Sequence, residues 1–285
     1  MKNYLKLIRP HHYIKNILVI LPLVCSGKLF DTNIIFLGGV ICFCFVSSAV
    51  YIVNDIKDIK KDSLHPIKRN RPLASGLIPV KNAVILASIL FFFSIAMSSI
   101  NFGIKPSLLL MIYFVLNMAY SFGLKNIPIA DISILASGFL LRVFYGSMIT
   151  DIKISNWLYL TVLMMSFYFA LGKRRNELIY LPKPDAQRSV LKFYPVNFLD
   201  KFIYMCLGLA NTFYALWCMD QGTISRYGSN KLMFTVPVVF LITMKYSLNI
   251  ESKEEGDPVE VLLHDKILMG LCLAYASIIL AVLYL

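Results

Sequence analysis

Nine stretches of this chain are apolar and near the length that crosses a bilayer: 14–31, 34–53, 81–100, 105–121, 130–149, 156–172, 201–219, 231–249 and 267–285. A hydrocarbon core of about 30 Å needs about 20 apolar residues in a helix. A composition that is 58% hydrophobic and 15% charged excludes a water-soluble domain of this size. The pattern predicts an all-α membrane protein with nine transmembrane helices, forming one membrane domain over residues 1–285. Gly and Pro interrupt several stretches, which membrane helices tolerate where neighbours satisfy the freed backbone groups. The first stretch is the least regular, being broken by Pro22 and Gly27.

The net charge of +12 invites a nucleic-acid reading, but its distribution argues for a membrane instead. Placing the N-terminus in the cytoplasm puts 22 of the 28 Lys and Arg residues inside and 5 outside, with Arg142 within a span. That asymmetry is the positive-inside signature. It predicts a plasma-membrane protein with its N-terminus inside and its C-terminus outside, and it accounts for the basicity with no nucleic acid as partner. The six cysteines lie in or at the ends of apolar stretches without a metal-type spacing, and read as small core residues. The basic N-terminus is followed by no small-residue cleavage site, so a cleaved leader is not expected, and Leu23-Val24-Cys25 is a poor lipidation site. Residues 2–9 suit a short interfacial helix. Long polar loops, 54–80 and 173–200, follow the second and sixth stretches, and both fall on the cytoplasmic side.

The first of these loops opens with Asn54-Asp55-Ile56-Lys57-Asp58-Ile59-Lys60-Lys61-Asp62. At about 100° per residue, Asn54, Asp55, Asp58 and Asp62 share one helix face, while Lys57, Lys60 and Lys61 fall outside it. Three carboxylates on one stripe repel each other unless a cation holds them. Hard oxygen ligands at this density suit Mg²⁺, which takes one or two carboxylates together with waters and phosphate oxygens.

Basic groups gather on the same side. Arg9-Pro10-His11-His12-Tyr13-Ile14-Lys15-Asn16 leads into the first stretch. The loop after Asp62 carries His65, Pro66, Lys68, Arg69, Arg71 and Pro72, and its prolines predict an ordered loop. Tyr120 and Lys125 flank the end of the fourth stretch, and Asp131 opens the fifth. Arg142 lies 11 residues further on, about 16 Å deeper, where an arginine is costly unless it lines a polar cavity. Gly172-Lys173-Arg174-Arg175-Asn176-Glu177 closes the sixth stretch. Together they describe a cytoplasm-facing cavity with an acidic, metal-competent wall and basic walls opposite, suited to a small polyanion meeting a lipid.

Asn54-Asp55-x-x-Asp58-x-x-x-Asp62 after the second span resembles the first aspartate-rich motif of the UbiA superfamily of intramembrane prenyltransferases, whose nine-span layout also matches. Typical members carry a second acidic motif after the sixth span; this chain has Lys173-Arg174-Arg175 there. In that respect it is similar to the decaprenyl-phosphate phosphoribosyltransferase-like branch. Arg9, Pro10, Lys15 and Asn16 match that branch's opening. Asp62, His65, Pro66, Lys68, Arg69, Arg71 and Pro72 match its loop, one residue shorter, and Arg188, Leu191 and Tyr194 match a later segment.

The resemblance implies a phosphoribosyl transfer, Mg²⁺-dependent, from phosphoribosyl diphosphate to a polyprenyl phosphate, with diphosphate released, as in cell wall biosynthesis. It implies catalytic and metal roles for Asp55, Asp58 and Asp62, with Asn54 as a further ligand. Substrate binding falls to Asn54, Lys15, Lys68, Arg69, Arg71, Tyr120, Lys125, Asp131, Arg142, Lys173 and Arg174. Two other readings stand beside it. One is a UbiA-type prenyltransferase moving a prenyl group from prenyl diphosphate to an aromatic or other small acceptor. The other is a transporter, which charge clustered at one face rather than at the midplane disfavours.

Overall fold

The computed structural model describes residues 2–30, 32–64, 68–180, 188–252 and 258–284. His65 and Pro66 of the predicted loop lie outside the described residues, as do Lys183 and Lys253. Every regular element among the described residues is helical. The chain is an all-α, multi-pass membrane protein, and among the described residues seven helices are long and apolar enough to cross a bilayer.

The expected count of nine differs at two places. The first stretch forms no long helix. A 3₁₀ segment, Pro10–Val19, is followed by a four-residue helix, Leu21–Val24. Pro22 lacks the N–H a longer helix would use, and Gly27 turns the chain at φ 75°. The sixth stretch does form a helix, Asn156–Tyr180, but this runs on through Lys173-Arg174-Arg175 and is not among the seven.

The helices are α1 (Lys2–Ile8), α2 (Leu21–Val24), α3 (Phe36–Ser63), α4 (Val80–Phe102), α5 (Ile104–Phe122), α6 (Ala130–Thr150), α7 (Asn156–Tyr180), α8 (Val196–Met219), α9 (Gln221–Tyr227), α10 (Val236–Ser252), α11 (Pro258–His264) and α12 (Lys266–Tyr284). α1 is the short helix expected at the N-terminus. Its Leu7 is buried, while Tyr4 and Leu5 are exposed.

The chain divides into two compact units. The first comprises Met1–Leu23, Phe30–Ile134 and Leu141–Ile152. α3 is its spine, and α4 packs along it through the small buried residues Ala83, Ala87, Ser94 and Ser98. Small side chains let membrane helices approach closely, where interhelical bonds then form. Ser94 Oγ donates to the Cys42 carbonyl at 2.7 Å. Ser98 Oγ lies 3.1 Å from the Tyr145 hydroxyl of α6. The Pro10–Val19 segment presses against α6 so closely that a Cβ on Gly146 would lie 1.9 Å from the Val19 carbonyl oxygen.

The second unit comprises Val24–Leu29, Leu135–Leu140 and Lys153–Leu285. α7 and α8 form its main pair. Asp220 caps α9 by accepting from the Thr223 N–H at 3.2 Å. Asp265 caps α12, accepting from the Leu268 N–H and the Lys245 ammonium, each at 2.8 Å. These two bonds hold the Asp265 carboxyl well below the usual carboxylate range, the lysine bond being the larger cause.

Candidate active site

The site in the first unit follows from the length of α3. Its apolar stretch ends near residue 53, but the helix continues to Ser63. Asp55, Asp58 and Asp62 therefore stay in helical register and share the face that the spacing predicted. Lys57 turns away and lies 4.9 Å over the Phe122 ring, and Lys60 and Lys61 are exposed.

Cations from three other places meet the carboxylates. Arg9 Nη2 stands 2.6 Å from Asp55 Oδ1. Arg71 Nη1 bridges two of the acids, 3.1 Å from Asp55 Oδ1 and 2.6 Å from Asp62 Oδ2. Lys125 Nζ grips Asp58 at 2.9 and 3.2 Å. Ser121 Oγ donates to Asn54 Oδ1 at 3.1 Å. Asp55 and Asp62 are buried, so these are the charge-assisted bonds a buried carboxylate needs. Arg9 is held at φ 58° and ψ 60°, a left-handed backbone that side chains with a Cβ rarely adopt. Its guanidinium lies 5.4 Å over the Tyr51 ring.

Of the predicted loop cations, Arg71 reaches the acids. Lys68 and Arg69 are exposed on the short 3₁₀ turn Lys68–Asn70. Tyr120 is half-buried on α5, one residue before Ser121, and Asp131 is fully buried in the first turn of α6. Lys15 is half-buried in the Pro10–Val19 segment. Arg142 is buried, as a costly intramembrane charge should be. Its Nε donates to Asn16 Oδ1 at 2.8 Å and its Nη2 to the Tyr113 hydroxyl at 3.2 Å. The guanidinium also lies 4.9 Å over Phe43 and 5.1 Å over Tyr113. Asn16 Nδ2 in turn donates to Cys44 Sγ at 3.1 Å. Arg142 thus ties the 3₁₀ segment to α5 and α6.

Two residues were absent from the sequence-derived set. Arg9 is one, although the Arg-Pro pair that carries it was visible. Ser121 is the other, and nothing in its local sequence marks it.

The second unit holds the basic turn. Arg174 is fully buried and pairs with Glu177, which Arg188 also approaches at 3.5 Å. Burial alone would raise the Glu177 carboxyl, but Arg174, Arg188 and Lys173 outweigh it and hold it down to about 2. Lys173 is half-buried, and Arg175 pairs with Asp200.

Residues 17–253 match the profile of the UbiA prenyltransferase family. The chain belongs to that family. It is 32% identical to the decaprenyl-phosphate phosphoribosyltransferase of Corynebacterium glutamicum, over 98% of this chain and 86% of that protein. It is 31% identical to the enzyme of the same name from Mycolicibacterium smegmatis, over 100% and 93% of the two chains. Among solved UbiA folds, a homologue from Archaeoglobus fulgidus bound to GPP and Mg²⁺ superposes with a TM-score of 0.72 at 17% identity, over 98% of this chain and 99% of that one.

Among the described residues no group of three or more His, Cys, Asp or Glu side chains is arranged to hold a metal ion. The bonds to Asp55 and Asp62 engage Oδ1 of the first and Oδ2 of the second, leaving one oxygen of each clear of them. Two carboxylates with an available oxygen apiece fit Mg²⁺ held jointly with substrate phosphates, and do not form an all-protein cage.

Proposed function

We propose that this chain transfers a 5-phosphoribosyl group from phosphoribosyl diphosphate to a polyprenyl phosphate, releasing diphosphate, as one UbiA-like domain over residues 1–285. The observation that carries this reading is the likeness, over almost the whole chain, to relatives named decaprenyl-phosphate phosphoribosyltransferase. The basic Lys173-Arg174-Arg175 turn supports it, because a donor with a diphosphate and a 5-phosphate carries more negative charge than a prenyl diphosphate.

In the reaction, an oxygen of the lipid phosphate attacks the anomeric carbon of the ribose. The bond from that carbon to the diphosphate oxygen breaks, and the diphosphate leaves with the electron pair. The nucleophile is already an anion, so no strong general base is required. The protein's task is to align two anions and offset their repulsion. Asp55 and Asp62, with Asn54 and Asp58 beside them, hold the divalent cation, which when bound neutralises charge on the leaving diphosphate. Arg9, Arg71 and Lys125 hold phosphate oxygens, and Lys68 and Arg69 extend the basic surface. Lys173 and Arg174, in the second unit, are candidate phosphate-binding cations. Lys15 and Tyr120 serve the mouth through which the lipid phosphate arrives, and Arg142 fixes the wall behind it. The charge asymmetry supports a mouth on the cytoplasmic side.

The test is to incubate purified protein with labelled phosphoribosyl diphosphate, Mg²⁺ and polyprenyl phosphate, and to extract with organic solvent. Label in the organic phase supports the reading. Label transferred only from a prenyl diphosphate to an aromatic or small acceptor would replace it with the prenyltransferase reaction. Movement of substrate across vesicles without a covalent product would replace it with transport.

A further inference from the structure

The three carboxylates on α3 are matched by three cations, each delivered by a different element. Arg9 comes from the joint between α1 and the 3₁₀ segment, Arg71 from the loop after α3, and Lys125 from the turn after α5. We infer that these cations are an internal counter-ion set for which a metal–diphosphate complex exchanges as a unit, so that metal binding at Asp55 and Asp62 depends on the diphosphate. This rests on the reading of the donor as a diphosphate, but not on what the diphosphate is attached to.

The argument is one of charge in a poorly solvated place. Arg71 Nη1 occupies the position between Asp55 and Asp62, and Arg9 shares Asp55 Oδ1 with it. A divalent ion arriving alone on the clear oxygens lies beside both guanidinium groups and is repelled by them unless they withdraw. The Arg9 and Lys125 side chains are each 15% exposed and that of Arg71 28%, so a displaced cation stays largely out of water. Removing one partner of a buried pair leaves an uncompensated charge, which is strongly unfavourable. A diphosphate that arrives with the metal changes the outcome. Each displaced guanidinium then has phosphate oxygens to receive its two-pronged donor edge, and Lys125 has a point contact. Asp55 and Asp62 trade side-chain cations for the metal. Arg9 and Arg71 trade carboxylates for phosphate, and none of these four charges is left single.

Equilibrium dialysis of the full chain in detergent micelles tests this, with labelled Mn²⁺ as the probe metal and inorganic diphosphate as the probe anion. Wild-type protein should hold Mn²⁺ at least about tenfold more tightly when diphosphate is present, a coupling within the usual range for linked sites. Labelled diphosphate should gain the same factor from Mn²⁺, because linkage is reciprocal. Arg71→Gln should bind Mn²⁺ alone more tightly than wild type, with a coupling factor falling toward one. Arg71→Lys, which keeps the charge, should stay near wild type. If Arg71→Gln does not fold, Arg9→Gln carries the same expectation at Asp55. Equal Mn²⁺ affinity with and without diphosphate in the wild type would overturn the inference. So would a folded Arg71→Gln protein that binds Mn²⁺ alone no better, since the bridge would then be a structural tie. Coupling without phosphoribosyl transfer would retain the inference and remove the donor assignment. Transfer without coupling would do the reverse.

Discussion

Lys125 Nζ stands 2.9 and 3.2 Å from the two carboxylate oxygens of Asp58, a contact made across 67 residues of sequence. It engages both oxygens of that acid, whereas Asp55 and Asp62 each keep one clear of their arginines. The three aspartates are therefore unequal, and the outer two are the ones proposed as ligands for a cation.

Asp55→Asn should lower turnover by about 100-fold or more while the protein still folds, the usual scale for losing a group that stabilises charge in the transition state. Asp58→Asn should also reduce turnover, but with a larger share of its effect in the donor Michaelis constant, because it releases Lys125. Steady-state kinetics on detergent-purified variants with wild-type melting temperatures checks both. Near-normal activity in both variants would remove the α3 stripe from the chemistry.

Lys173→Met should raise the Michaelis constant for phosphoribosyl diphosphate by about 10- to 100-fold, in line with loss of one charge-assisted contact of about 1.5–3 kcal/mol. The constant for the lipid acceptor should change much less. Equal effects on the two constants would detach the basic turn of α7 from donor recognition.

Gly146→Ala should destabilise the first unit by about 1–3 kcal/mol, the cost of overpacking a tight contact. The added methyl meets backbone at Val19, not the flexible end of a side chain. A melting temperature in detergent equal to that of wild type would show that the 3₁₀ segment gives way freely.

Glu177 supplies a pH dependence. Its pKa falls from an ordinary 4.5 to about 2 in the folded chain, because its arginine and lysine neighbours outweigh the effect of burial. A lowered folded value means that the stabilisation is fully present above about pH 4.5 and is lost as the pH falls through about 2. Acid titration of stability should therefore separate wild type from Glu177→Gln. The advantage of wild type should shrink only below pH 4.5. A constant difference between the two across that window would contradict the assignment.

The sequence made the long helices legible because apolar length alone specifies a membrane helix. It also placed Asp55, Asp58 and Asp62 on one face, since helical period continues into the polar loop. The partners of those acids were not legible in the same way. Arg9 reaches Asp55 across 46 residues, and Lys125 reaches Asp58 across 67, so only the packed chain brings them together. The first stretch misled for a related reason. Its apolar content resembles that of a span, but Pro22 and Gly27 interrupt the ladder, and bonds such as that of Asn16 to Arg142 hold it as a 3₁₀ segment instead.

α3 is a single 28-residue helix, about 42 Å long at 1.5 Å per residue, in which the part that crosses the lipid and the part that carries the aspartates are one rigid rod. A rod longer than the hydrocarbon thickness accommodates a thinner bilayer by tilting. Any such tilt sweeps Asp55 and Asp62 through an arc, so host-membrane thickness would reach the proposed metal site. Reconstitution in lipids of graded acyl length should therefore trace an optimum in turnover.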